Sequence, residues 1–148
     1  MLSRHQQTCF FIQPSGLRPD CRLLFPFIFG DDAPNVDTDG DSHNPASQEW
    51  TEFYCQNREK EEEIFDIAPV LDNPLILEIS SEIPELAARV AYFLATSTGS
   101  RVGSSAEGPW HDVEWLRAKV GDFDLERALQ RVATSRWQRA TLENPYPE

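Results

Sequence analysis

The chain has few of the features from which a function is usually inferred. Its 148 residues include only three cysteines, and none of them stands in a C-x-x-C motif. Three cysteines do not make a complete set of disulfides. We therefore expect reduced thiols at Cys9, Cys21 and Cys55, with a Cys9–Cys21 disulfide in an oxidising compartment as the alternative.

Long hydrophobic runs are also missing. The densest apolar run near the N-terminus, residues 23–29, contains Pro26 and is followed by Asp31 and Asp32. It begins too late for a signal peptide, has no small-residue cleavage site, and is far shorter than the roughly 20 residues of a membrane-spanning helix. The sequence therefore predicts a cytoplasmic protein that does not enter a membrane.

Positive charge is scarce, and the negative charge is concentrated. The chain has 13 lysine and arginine residues against 25 aspartate and glutamate residues, which gives a net charge of −12. Residues 31–66 alone hold twelve acidic residues against two basic ones. A surface that follows nucleic-acid phosphates needs clustered lysine and arginine, so nucleic acid and anionic lipid are excluded as partners. The expected partner is a basic protein.

Motifs for catalysis are absent from the sequence, which has no G-x-S-x-G, no H-E-x-x-H and no glycine-rich phosphate loop. His111, between Trp110 and Asp112, is the best candidate for a general base. A small enzyme or ligand-binding domain with a site near His111 and Asp112 is therefore one alternative function. No cofactor and no metal are predicted.

The segment from Asn35 to Asp41 matches the start of a calcium-binding loop, N-x-D-x-D-G-D. The match ends at the twelfth position, where Ala46 replaces the bidentate glutamate, and Pro45 argues against a flanking helix. We therefore favour a long, exposed acidic loop over 30–49 that stays mobile unless a partner or an ion orders it.

The periodicity of the apolar residues predicts one domain of the α+β class, residues 1–148. Strands are expected over 8–13, 22–29, 64–70, 75–80 and, more briefly, within 100–105, with 50–63 strand-like or irregular. Helices are expected over 83–98, 110–120 and 125–133. Because strands come first and helices last, we expect a mixed or antiparallel sheet of four to five strands with helices packed on one face. The first two strands are predicted to form a hairpin, residues 1–7 to be frayed, and residues 144–148 to form a tail.

In kind, a small acidic single-domain protein without a catalytic motif is similar to bacterial immunity proteins, which bind a cognate toxin and block it. This resemblance rests on size and charge, and it implies a non-catalytic inhibitor of a basic toxin or nucleic-acid-processing enzyme. The predicted electrostatic contacts are Asp37, Asp39, Asp41, Glu49, Glu52, Glu59, Glu61, Glu62 and Glu63. The candidate anchors are Trp50, Phe53 and Tyr54. A subunit of a larger assembly that self-associates through apolar strand edges is the remaining alternative.

Overall fold

The computed structural model describes residues 7–148, and its centre is a seven-stranded antiparallel sheet with the strand order β2-β3-β4-β5-β1-β6-β7. The strands are β1 Thr8–Ile12, β2 Val36–Gly40, β3 Phe53–Asn57, β4 Ile64–Asp72, β5 Leu75–Ser81, β6 Val102–Gly103 and β7 Trp110–His111. The two α-helices are α1 Pro84–Thr98 and α2 Leu125–Ala133. Shorter helical segments lie at Cys21–Leu23, Phe25–Phe29, Val113–Lys119 and Arg136–Arg139. No helix within residues 7–148 has the length and apolarity needed to cross a bilayer.

The hydrophobic core lies between one face of the sheet and α1, which packs on β1 and β5. Alternate residues of a strand share a face, so Phe53, Ile67, Ile79 and Phe10 form a buried row of cross-strand neighbours. Gly99, with φ +66°, ends α1 in the left-handed conformation that few other residues adopt. The α+β class is therefore confirmed.

The predicted hairpin between 8–13 and 22–29 is wrong, because residues 22–29 are helical and β1 pairs with β5 and β6 instead. Asp20 begins the helical segment by accepting a hydrogen bond from the N–H of Arg22 at 2.9 Å. Pro26 lies in the first helical turn of Phe25–Phe29, where its missing N–H has no helical partner. A short, wholly apolar run looks the same in a buried strand and in a buried helical turn.

The expected acidic loop over 30–49 is interrupted by β2, and the sheet has more strands than predicted. β2 pairs with β3 in antiparallel register, with Asp37 opposite Gln56 and Asp39 opposite Tyr54. The sequence V-D-T-D-G has little intrinsic preference for a strand, so β3 supplies the partner that makes it one. The prediction for residues 1–6 lies outside the described residues.

The tail over 144–148 is attached to the domain. Arg22 donates a hydrogen bond to the carbonyl oxygen of Pro145 at 2.7 Å, and its guanidinium lies 4.0 Å from the ring centroid of Trp137. The same side chain forms a buried ion pair with Asp20 at 2.6 Å. One arginine therefore joins the N-terminal helical turn to the C-terminal end of the chain.

Candidate functional site

The sheet has a second face, which points away from α1 and is not part of the core. Successive cross-strand neighbours on this face are Asp39, Tyr54, Asp66, Ser80 and Cys9. All of them are exposed or half-buried. We call this surface the open face and define it by Cys9, Asp37, Asp39, Glu52, Tyr54, Gln56, Ile64, Asp66, Glu78 and Ser80.

Two connected concavities on the open face form an acidic trough. The first encloses about 370 Å³ and is lined by Gln7, Tyr54, Glu61, Glu62, Ile64, Asp66, Ser80 and Glu82. The second encloses about 240 Å³ and is lined by Asp39, Gly40, Glu52, Phe53, Tyr54 and Asp66. Tyr54 and Asp66 line both, so an aromatic ring and a carboxylate lie at the middle of the trough.

Most carboxylates of the trough have no internal counter-ion. Within residues 7–148, no lysine or arginine forms an ion pair with Asp39, Asp66, Glu61 or Glu62. Burial raises the pKa of Asp66, a hydrogen bond from its neighbour's backbone N–H opposes the effect, and a nearby glutamate adds to it. The carboxylates of Asp39, Asp66, Glu61 and Glu62 are therefore not compensated by a lysine or arginine of residues 7–148.

Asp37 at the edge of the open face is different, because Arg58 accompanies it. Nε of Arg58 lies 2.8 Å from Oδ1 of Asp37, and this hydrogen bond lowers the pKa of the carboxyl. Both side chains are more than half exposed, so the pair contributes little to stability and opens easily to another cation.

Two carboxylates on the helical side of the molecule share one arginine. Arg117 lies 2.7 Å from Glu114 and 2.8 Å from Glu126, and it also donates a hydrogen bond to the Tyr92 hydroxyl at 3.1 Å. The side chain thus joins α1, α2 and the helical segment between them. Glu114 and Glu126 are therefore partly compensated in charge, unlike Asp39, Asp66, Glu61 and Glu62 in the trough.

Several residues predicted as contacts have structural roles or lie elsewhere. Asp41 accepts hydrogen bonds from the N–H groups of Thr51 and Glu52, each at 3.1 Å, and from the Thr51 hydroxyl at 2.7 Å. Burial acts to raise the pKa of Asp41, but these hydrogen bonds outweigh it and the pKa lies below its ordinary value. Glu49 lies in the loop before β3, outside the open face.

The turn between β3 and β4 carries the other predicted acidic residues. Glu61 and Glu62 line the trough, whereas Glu63 lies 3.9 Å from Lys60 and accepts a hydrogen bond from the Asn57 side chain at 2.9 Å. Glu59 is exposed in the same turn. The structure therefore places Asp39, Glu52, Glu61 and Glu62 in the trough and Asp37 at the edge of the open face, and it leaves Asp41, Glu49, Glu59 and Glu63 outside both.

Of the three candidate anchors, only Tyr54 reaches the surface. Trp50 and Phe53 are 2 % and 6 % exposed, their ring centroids lie 6.1 Å apart, and the indole N–H of Trp50 donates to the carbonyl oxygen of Pro19 at 2.7 Å. Since strand residues alternate between faces, burial of Phe53 in the core directs Tyr54 to the open face.

Sequence reasoning did not include Asp66 or Glu78 among the predicted contacts, although the alternation over 75–80 already separates Glu78 from the buried face of its strand. Both interrupt apolar strand patterns, I-F-D-I-A-P-V in β4 and L-I-L-E-I-S-S in β5. The polar positions in these alternations were the available signal, because they mark the face of a strand that is not in the core.

The calcium-loop motif does not form an ion-binding loop in this fold. Strand geometry directs Asp37 and Asp39 to the open face, while Asp41 is held by Thr51 and Glu52. In the part of the chain that the structure describes, no three His, Cys, Asp or Glu side chains are arranged to hold a metal ion.

The residues of the alternative enzyme site are engaged in local structure. The ring of His111 stacks on Trp115 with centroids 4.1 Å apart, and the Asp112 carboxylate accepts a hydrogen bond from the N–H of Glu114 at 2.9 Å. Cys9 on the open face and Cys21 on the core side are free thiols, so the alternative disulfide does not form.

Comparison with known proteins adds no relative from which a function can be transferred. No protein-family model, curated protein or solved structure matches this chain significantly.

Proposed function

We propose that this chain is a non-catalytic binding protein, an immunity-type inhibitor that uses its open face to bind and neutralise a basic toxin or nucleic-acid-processing enzyme. The observation that carries the proposal is the acidic trough, whose carboxylates at Asp39, Asp66, Glu61 and Glu62 pair with no cation within residues 7–148. A cation-rich partner supplies the missing charge.

The chemistry of the trough suits lysine and arginine side chains. Carboxylates form charge-assisted hydrogen bonds with guanidinium and ammonium groups, and the ring of Tyr54 offers an aromatic face to a cation. The antiparallel sheet holds these groups on a rigid scaffold, so little ordering is required on binding. Clustered charge of one sign also attracts a basic protein over a distance and raises its association rate.

Asp66 lies at the middle of the trough, where burial raises its pKa and a nearby glutamate adds to this effect. A cation of the partner placed beside this carboxylate would favour its ionised form and so strengthen the contact.

The test compares two double charge reversals. Asp39→Lys with Asp66→Lys alters the trough, and Glu107→Lys with Asp122→Lys makes the same change in net charge at exposed positions away from it. Each variant and the wild type are immobilised and used to capture proteins from the source cells at low and high salt. The retained protein is then assayed for its own activity with and without the inhibitor.

The expected effect follows from Coulomb's law. Reversing two carboxylates changes four unit charges, each worth about 0.5 kcal/mol against a cation about 8 Å away in water. Screening at about 0.1 M salt reduces the total to about 1 kcal/mol, or about a fivefold slower association. We expect one basic protein that binds the wild type and the control alike, associates about fivefold more slowly with the trough variant, and is inactive when bound. Equal retention by both variants, or full activity in the complex, contradicts the proposal.

A further inference from the structure

β2 is the outermost strand of the sheet, and its outer edge pairs with no other strand of residues 7–148. The N–H of Arg58 donates to the carbonyl oxygen of Asn35 at 3.0 Å, so Asn35 is hydrogen-bonded to the chain of β3. In an antiparallel pair every second residue is hydrogen-bonded to the partner strand, which fixes the direction of the backbone groups in β2. Asp37 and Asp39 therefore direct their backbone groups towards β3, whereas Val36 and Thr38 direct theirs outwards. Two residues of β2 thus offer strand-pairing groups at the edge of the sheet.

A groove of about 390 Å³ lies on the core side of this edge, and its lining combines apolar residues with polar ones, among them Ser42 and Arg22, whose charge is paired with Asp20. Thr38 and Gly40 line it from β2, and the exposed ring of Tyr146 lines it from the C-terminal end of the chain. The rings of Phe25 and Phe53, which are 9 % and 6 % exposed, close it towards the core. The groove therefore offers apolar contact directly beside the unpaired backbone.

Apart from Arg22, which pairs with Asp20, and Arg58, which pairs with Asp37, the charged side chains at this edge are negative. Asp39 and Glu52 line the groove together with its apolar residues, and Asp39 also lines the trough on the open face. An extended chain lying along β2 would have one row of side chains on the groove side and the alternate row on the open face. The two rows meet an apolar surface and an acidic surface respectively.

We propose that the outer edge of β2 is a strand-addition site for an extended segment of the basic partner. The segment pairs with Val36 and Thr38, places alternate apolar side chains in the groove, and places the intervening lysine or arginine side chains beside Asp37 and Asp39. This inference rests on the proposed function and adds the manner in which the partner is held.

Charge complementarity favours a cationic segment over a second copy of this chain. Pairing β2 with another β2 would bring the carboxylates of Asp37 and Asp39 from both copies to one edge, and like charges across a strand pair are destabilising. Exposed charges on an edge strand are a common means of preventing such self-pairing. A lysine-bearing strand converts the same charges into an attraction.

The probe is a capped nine-residue peptide of alternating lysine and valine. Its affinity is measured by fluorescence anisotropy at low salt, and its position by the shifts of backbone amide signals in NMR spectra. A second peptide has the same sequence with the N–H groups of its valines methylated, and a third has those of its lysines methylated. Each methylated peptide lacks the donors on one edge, so one of the two cannot donate to β2.

The matched protein variants are Thr38→Pro and Thr38→Val. Proline removes the outward N–H of residue 38 and is tolerated on an edge strand, because that N–H does not bond to β3. Valine keeps the N–H and the size of the side chain. We expect the parent peptide to shift the amide signals of β2 and to bind Thr38→Val as it binds wild type. Binding should weaken at least fivefold for Thr38→Pro and for one methylated peptide but not the other.

Other results overturn the inference. These are no binding of the parent peptide, equal binding of all three peptides, no shifts in β2, or a dimer of the free protein paired through β2. If Thr38→Pro does not fold, the inference is tested by comparing the affinities of the two methylated peptides for the wild-type protein. A captured partner that depends on Asp39 and Asp66 but not on the N–H of residue 38 would leave the proposed function standing and remove only the strand pairing.

Discussion

The buried ion pair between Asp20 and Arg22 provides a direct test of how this fold is stabilised. Nε and Nη2 of Arg22 lie 2.9 and 2.6 Å from the two carboxylate oxygens of Asp20, and the two side chains are only 8 % and 7 % exposed. Nη1 donates to Pro145, and the guanidinium lies over Trp137. The arginine is therefore compensated in charge and in hydrogen bonds, and Asp20→Ala removes the charge compensation.

The magnitude follows from what the alanine leaves behind. A buried guanidinium without its carboxylate costs about 3–5 kcal/mol, and the lost cap on the N–H of Arg22 adds about 1 kcal/mol. In the double variant Asp20→Ala with Arg22→Met the buried charge is gone. The cap, the hydrogen bond to Pro145 and the contact of the guanidinium with Trp137 are then lost, at a total of about 2–4 kcal/mol. The double variant should therefore be more stable than the single one.

The free energy of unfolding is measured by urea titration followed through tryptophan fluorescence. Asp31→Ala is the matched control, because Asp31 is exposed and accepts one hydrogen bond from the backbone N–H of Ala33 at 2.9 Å. We expect this control to lose no more than about 1 kcal/mol. A loss below about 1 kcal/mol for Asp20→Ala, or a double variant less stable than Asp20→Ala, would refute the reasoning.

Three further predictions concern single groups. Since the folded-state pKa of Asp66 is raised, the protein loses stability as the pH rises through that pKa; Asp66→Asn should therefore be more stable than the wild type at neutral pH and equally stable in acid, by urea titration at both pH values. Asp41→Ala should lose about 1–2 kcal/mol in the same assay, since the N–H groups of Thr51 and Glu52 lose their acceptor; no change would assign these bonds to solvent. Burial raises the pKa of the thiols, to about 11 at Cys9 and about 12 at Cys21 and Cys55. An aromatic disulfide reagent at mildly alkaline pH should therefore react slowly with them until urea is added. Rapid reaction of all three thiols in the folded protein would contradict their burial.

The periodic segments were predicted well because the spacing of their apolar residues indicates the type of secondary structure directly. The alternation in β5 and the spacing of three and four in α1 each match only one regular structure, and Gly99 marks the end of the helix. At the start of α2, Asp124 accepts a hydrogen bond from the N–H of Arg127 at 3.1 Å. Such local signals depend on residues a few positions apart.

The partner contacts stay a prediction, but the structure shows where each of the predicted residues lies. The concentration of carboxylates in residues 31–66 is visible in the sequence, and five of the nine predicted acidic contacts lie on the open face or line the trough. Which carboxylates are accessible depends on strand register, and a shift of one residue would exchange Asp39 for Thr38 on the open face. Register is a property of β2 and β3 together, so neither strand alone predicts it.

The sequence by itself determined the α+β class, the helices α1 and α2, and the amount and location of the negative charge, because these depend on composition and on contacts between near neighbours. Only the tertiary structure decided that V-D-T-D-G is a strand and that residues 22–29 are helical turns. It also decided that Asp66 lies beside the other carboxylates of the open face. Each of these requires a partner distant in the chain, such as β3 for β2 or Pro145 for Arg22. The pattern of side chains in one segment does not show which distant segment will form its remaining backbone hydrogen bonds and bury its apolar side chains.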